Sequence, residues 1–137
     1  AKKSDLRLIA IVFGAKNSRV RFSETSKLLS WGFNRYMWLD VKEKLRKNIR
    51  KIKILDGVEK TVELKMVGKK KILIRRENVN KISIKKKIPN VLTAPISKGQ
   101  IIGKITLEIK KRKIAMLSLV TKKSVQKISF LRKILNF

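Results

Sequence analysis

The spacing of apolar positions along the chain changes character twice. Leu6 to Phe13 contains Leu8-Ile9-Ala10-Ile11-Val12-Phe13, apolar and partly β-branched with no polar face, the pattern of a strand buried on both sides. Gly14-Ala15 ends the run, and Asn17-Ser18 offers an N-cap. From about Ser18 to Tyr36, Phe22, Leu28, Leu29, Gly32, Phe33 and Tyr36 recur near helical spacing, which predicts one amphipathic helix. Gly32 costs that helix about 1 kcal/mol relative to Ala unless a close packing contact uses the missing side chain.

Beyond Met37-Trp38-Leu39 a Lys/Arg-rich connector leads into short alternating runs. Strands are predicted over Ile49 to Leu55, Thr61 to Val67, Lys71 to Arg75, Lys81 to Lys87, Gln100 to Ile109 and Ile114 to Val120. In Lys51-Ile52-Lys53-Ile54 and Lys81-Ile82-Ser83-Ile84-Lys85 the isoleucines face one way and the lysines the other, as in half-buried antiparallel sheet. Turn signals at Asp56-Gly57, Gly68, Pro89-Asn90, Ser97-Lys98-Gly99 and Lys110 to Lys113 separate the runs. After residue 121 a helical period returns: Val125, Ile128, Leu131, Ile134 and Leu135 share a stripe, Gln126, Lys127, Lys133 and Asn136 lie opposite, and Phe130 and Phe137 flank it.

The fold class that follows is α+β, mainly β. A strand and helix (1–37) precede a small antiparallel β-sandwich-like domain (38–121), and an amphipathic helix (122–137) ends the chain. No apolar run approaches the roughly 20 residues of a spanning helix.

Charge and composition narrow the chemistry. The 137 residues include 37 Lys plus Arg against 9 Asp plus Glu, a formal net charge of +28, yet 43% are hydrophobic, enough for a core. Such a balance raises nucleic-acid binding as one reading. The cations are spread along the chain and alternate with buried positions, as on solvated strand faces, and no recognition motif of the RRM, KH or zinc-knuckle type is present. Cysteine and histidine are absent, which excludes disulfides, thiolate nucleophiles and His-dependent triads; no cofactor or metal is implied.

Without His or Cys, a Ser activated by a nearby Lys is the nucleophile to look for. Ser83…Lys86 and Ser124…Lys127 match Ser-x-x-Lys, about as many matches as the abundance of lysine yields by chance. The first pair sits three apart on a predicted strand and so points to opposite faces; the second lies on the terminal helix. Neither is accompanied by Lys-Thr-Gly or Ser-x-Asn, so no catalytic residue is assigned. The terminal helix, with an apolar stripe beside lysines, reads either as a core helix packing on the β domain or as an interfacial membrane anchor, and the uncovered stripe favours the anchor. Val125, Lys127, Ile128, Phe130, Leu131, Lys133, Ile134, Leu135 and Phe137 are the residues predicted to meet an anionic membrane surface.

Two blocks are recognisable. Arg7 to Ala15, followed by Arg19-Val20-Arg21-Phe22 and Ser26-Lys27-Leu28-Leu29-Ser30-Trp31-Gly32-Phe33, resembles the end of the catalytic domain in low-molecular-mass penicillin-binding proteins, the serine D-alanyl-D-alanine carboxypeptidases. About sixty residues on, Leu92-Thr93-Ala94-Pro95-Ile96-Ser97-Lys98-Gly99-Gln100-Ile101-Ile102-Gly103 is similar to the motif that precedes a long strand in that family's C-terminal β domain. The resemblance implies a C-terminal portion of an enzyme that trims peptidoglycan stem peptides on the periplasmic face of the inner membrane, held there by its tail. The family's nucleophilic Ser-x-x-Lys, Ser-x-Asn and Lys-Thr-Gly would lie upstream, so the chain is expected to position and tether rather than to catalyse. The stem peptide would be met only through that catalytic half. A stand-alone basic nucleic-acid-binding protein is the alternative.

Overall fold

A computed structural model describes residues 1–135, without the side chains of Phe130, Leu131 and Lys133. The chain opens with a two-by-two hairpin, β1 (Lys2–Lys3) and β2 (Leu6–Arg7), closed at Ser4 with φ 52°. The strand predicted over Leu6 to Phe13 stops at Arg7; residues 8–13 have no regular secondary structure and no sheet partner. Helix α1 (Ser18–Arg35) follows, close to prediction, and the side chain of Asn17 caps it by accepting from the Val20 amide at 3.0 Å. Only Gly32 of this helix is buried. A Cβ there would come within 2.6 Å of Leu8 Cδ1, so the glycine makes room for Leu8 against the helix.

Strand β3 (Tyr36–Asp40) turns the chain into the β body, and Asp40 caps the short helix α2 (Val41–Leu45). A 3-10 turn (Arg46–Asn48) leads to β4 (Ile52–Leu55), β5 (Thr61–Val62), β6 (Leu64–Gly68) and β7 (Lys71–Arg75). A second 3-10 turn (Arg76–Lys81) precedes β8 (Ser83–Lys87), β9 (Val91–Thr93), β10 (Ile101–Ile109) and β11 (Arg112–Thr121). A six-residue helix, α3 (Phe130–Leu135), comes last.

The strands form a four-stranded sheet in the order β6-β11-β10-β8, a ribbon β3-β7, and a three-stranded sheet β5-β4-β9. All pairings are antiparallel except β4 with β9, so the antiparallel expectation holds for the large sheet and the ribbon but not for this edge. The parallel pair arises because β9 returns to β4 after a long excursion through β5 to β8 rather than through a tight turn.

One core unites the three sheets. Ile105 and Leu107 on β10 and Leu117 and Leu119 on β11 are fully buried and alternate with exposed or half-buried neighbours. They pack with Ile52 and Ile54, Ile72 and Ile74, and Val41 and Leu45 of α2. Burying each such side chain is worth about 1.5–3 kcal/mol. The Ile/Lys alternation of residues 51–54 is realised directly, Ile52 and Ile54 in and Lys53 out.

The motif around Pro95 works as a joint. Ala94 donates to Leu55 O at 2.9 Å, and Ile96 exchanges backbone bonds with Val125 at 2.9 and 2.8 Å. Thr121, the buried polar residue, donates its hydroxyl to Ser97 O at 2.6 Å and accepts from the Gln100 amide at 3.1 Å. Segment 94–100 thereby ties the small sheet to the start of β10.

Candidate functional site, an uncovered apolar face and a zipped tail

Residues 8–13 alternate in exposure with a two-residue period, as extended backbone does. Leu8, Ala10 and Val12 are half-buried, while Ile9, Ile11 and Phe13 are 79, 67 and 90% exposed. The run was predicted to be covered on both sides; here one side is covered and the other faces outward.

The inward stripe of α1 shows the same imbalance. Leu29, Gly32 and Phe33 are covered, but Phe22, two turns earlier on that stripe, is 70% exposed, and Trp31 projects from another side at 52%. Arg21 lies over the Phe22 ring at 5.8 Å and Arg35 over Trp31 at 5.3 Å, contacts that shield the rings only in part. Several large apolar groups of the N-terminal unit, Ile9, Ile11, Phe13 and Phe22 among them, are thus left uncovered by the β body.

A small set of polar contacts fixes this unit to the β body. Trp38 donates its indole N–H to Asp5 O at 3.1 Å, Arg76 reaches Phe33 O at 3.4 Å, and Lys71 pairs with the Asp5 carboxylate. The Lys71 hydrogen bond and charge hold Asp5 below the usual carboxylate range, and Asp5 raises Lys71 in return. Both groups are solvent-exposed, so the pair orients more than it stabilises. Asp5, Trp38 and Lys71 are 33 to 66 residues apart in sequence, and no local signal marks them.

The predicted tail is corrected in its first half. Residues 122–129 are not helical: Val125 is buried in the core, Lys127 bridges Gly57, and Ile128 donates to Asp56 O at 2.7 Å. Val125 therefore cannot meet a membrane. Its apparent place on a helical stripe came from a three-residue spacing that extended pairing with Ile96 overrides. Lys122 and Lys123 pair with Glu63 and Glu59, fastening the segment further. Of the other predicted membrane residues, Lys127 is exposed, Ile128 half-buried, and Ile134 and Leu135 on α3 are 54 and 78% exposed. The side chains of Phe130, Leu131 and Lys133, and all of Phe137, lie outside the described residues.

In both Ser-x-x-Lys matches the serine hydroxyl is engaged with the backbone. Ser83 donates to Glu108 O on the neighbouring strand at 3.3 Å, and Ser124 accepts from the Lys98 amide at 2.8 Å in the joint. Both hydroxyls serve backbone groups.

Residues 43–127 match the family model for the C-terminal domain of penicillin-binding protein 5. The chain belongs to that family. It is 30% identical over 132 residues to the D-alanyl-D-alanine carboxypeptidase DacF of Bacillus subtilis, covering 96% of this chain and 34% of the relative. It is 29% identical over 138 residues to the D-alanyl-D-alanine carboxypeptidase DacC of Escherichia coli, covering all of this chain and again 34% of the relative. The chain spans about a third of the length of these curated relatives. Among solved structures, penicillin binding protein 5 from Haemophilus influenzae superimposes with a TM-score of 0.55 at 23% identity, over 80% of this chain and 32% of that one, a likeness of fold. The family match begins within α2 and ends at Lys127, so the zipped segment 122–127 falls inside it.

Proposed function

We propose that this chain is the C-terminal, supporting portion of a serine-type D-Ala-D-Ala carboxypeptidase that trims peptidoglycan stem peptides. In this reading α1 and the segment before it complete a catalytic domain, the β body holds that domain at a set height, and the end of the chain associates with the periplasmic face of the inner membrane. The observation that carries it is the outward row of Ile9, Ile11 and Phe13, left uncovered beside a β body that closes its own core. Family membership and two carboxypeptidase relatives support reading the partner of this row as a carboxypeptidase catalytic domain. The nucleic-acid alternative gains no support from either.

The chemistry would reside in the other portion. Among the described residues Ser83 and Ser124 bond to backbone groups and to no lysine side chain, which supports placing the nucleophile elsewhere. The purified chain should release no D-Ala from a stem pentapeptide and take up no labelled penicillin; acylation of any serine here overturns the reading. A chimera with this chain in place of the last third of DacF tests the docking face. Ile11→Asp with Phe13→Asp should abolish D-Ala release by the chimera while leaving the urea midpoint of the isolated chain unchanged. A chimera indifferent to both substitutions would refute the docking role. For the tail, deletion of residues 129–137 should remove binding to phosphatidylglycerol vesicles, and undiminished binding would count against an anchor.

A further inference from the structure

The excess cations are not spread evenly over the β body. Where the lead-in to β4 passes the end of β8, a cleft of about 480 Å³ is lined by Lys47, Arg50, Lys51 and Lys86. Across the saddle formed by Ile88 and Pro89, a second groove carries Lys87 and Lys104. Neither half has a carboxylate or an aromatic ring among its lining residues. Among the described residues only Lys51 of the six cations forms an ion pair, with Glu63 at 3.6 Å, and it shares that carboxylate with Lys122.

The register explains how the charges come together. Lys86 stands opposite Ile105, a fully buried residue, so its side chain leaves the sheet on the core side and emerges in the opening beside Lys51. Lys87 points the other way and stands directly opposite Lys104. Like charges facing each other across two strands are destabilising. Lysines on an edge strand such as β8 guard against sheet-to-sheet pairing, which accounts for residues 85–87 but not for Lys47, Arg50 and Lys51 gathered against them from another element.

We propose that this cleft binds the phosphates of a linear polyanion, running from Lys47 and Arg50 past Lys86 to Lys87 and Lys104. A polymer with regularly spaced phosphates would relieve the repulsion and gain affinity from counterion release. Base recognition is disfavoured because no ring is present on which a base could stack. A bilayer is disfavoured because the site is concave and because the tail joins the fold at Gly57, past the far end of β4, a strand about 13 Å long. The site belongs to the β body alone and does not depend on the carboxypeptidase reading.

The test is titration of the full chain with inorganic polyphosphate at several salt concentrations. One variant carries Lys47→Gln, Arg50→Gln, Lys51→Gln and Lys86→Gln. The control removes the same charge at the β10–β11 hairpin with Lys110→Gln, Lys111→Gln, Arg112→Gln and Lys113→Gln. The cleft variant should bind at least tenfold more weakly, with the log–log salt slope reduced by about three, and the control less than threefold more weakly. Should the cleft variant not fold, Lys47→Gln with Lys86→Gln, one from each side, should still lose at least threefold against a matched hairpin pair. Equal losses in cleft and hairpin variants would show net charge alone at work and overturn the site. So would cleft-dependent binding to phosphatidylglycerol vesicles without binding to polyphosphate. Tenfold tighter binding of a single-stranded oligonucleotide of equal charge would also overturn it, in favour of base recognition.

Discussion

The N-terminal unit and the β body are built from similar residues and dispose of them differently. Sixteen buried apolar side chains form one cluster in the β body, whereas Leu6 is the buried apolar side chain among the described residues before Tyr36. The β body has three sheets to close around its leucines and isoleucines. The N-terminal unit has one helix and an extended segment, two elements that cover only one side of each other. A two-layer arrangement needs an opposing layer for each apolar face, and here one layer is lacking. The difference separates a region that closes its own core from one that leaves much of its apolar surface exposed.

Attacking the β core should produce the largest effect. Leu107→Ala or Leu117→Ala removes a fully buried side chain from the centre of the four-stranded sheet, at a cost of about 2–5 kcal/mol. Urea denaturation followed by circular dichroism should show the midpoint fall sharply. Phe13→Ser or Ile11→Ser should leave that midpoint in place. If the N-terminal substitutions destabilise the isolated chain as much as the core ones, the two regions are not distinct in the way the burial pattern says.

A smaller loss is expected at Gly103. A Cβ there would lie 2.5 Å from the backbone oxygen of Lys87, an atom that cannot swing away as a side chain can. Gly103→Ala should cost about 1–3 kcal/mol by forcing β8 from β10. Gly32→Ala meets only the end of the Leu8 side chain and gains helix propensity, so its change should be under 1 kcal/mol. Equal penalties at the two glycines would indicate that the N-terminal unit is as rigidly packed as the β body.

How far the sequence carried the fold depended on whether the deciding contact was local. The run Lys71 to Arg75 became β7 without adjustment, and α1 with its Asn17 cap matched its stripe, because alternation and capping are written in neighbouring residues. Strands β3 and β9 went unread. Met37-Trp38-Leu39 has no polar alternation and follows directly on a helix, and Val91–Thr93 is three residues long; each is a strand only because a distant partner pairs with it. Val125 failed for the same reason, since Ile96 claims it. The apolar run at residues 8–13 was legible as sheet-like, but its coverage was not, because burial depends on what packs against a segment. The basic cleft was wholly illegible: Lys47 and Lys86 meet only after β4 and β8 are placed.

Capping offers a prediction confined to the N-terminal unit. The Asn17 side chain satisfies the Val20 amide, a group the helix leaves without a partner. Asn17→Ala should cost α1 about 1 kcal/mol. Because α1 contributes little to the shared core, hydrogen exchange should quicken across residues 18–35 while β10 and β11 amides stay unchanged. Faster exchange in both would mean that helix and β body unfold as one unit.

The smallest effect comes from the ion pairs that fasten segment 122–123, and pH gives it a sign. The Glu63 carboxyl accepts from Lys122 and lies near Lys51; the Lys122 hydrogen bond, then its charge and that of Lys51, lower the Glu63 pKa from its ordinary value. A carboxylate whose pKa is lower folded than unfolded stabilises the fold above its unfolded value, about 4.3. That contribution is lost as pH falls through the folded value. Wild type should therefore exceed Glu63→Gln in urea midpoint at pH 7, with the gap narrowing below about pH 4 and closing in stronger acid. Comparing the two proteins at each pH removes the general repulsion of a chain already at +28. The gap should also shrink in 1 M salt, where the Debye length is about 3 Å. A gap that persists unchanged through acid and salt would mean that Glu63 acts by packing, and that the backbone bond from Lys122 to Glu63 O, at 3.0 Å, is what holds the segment.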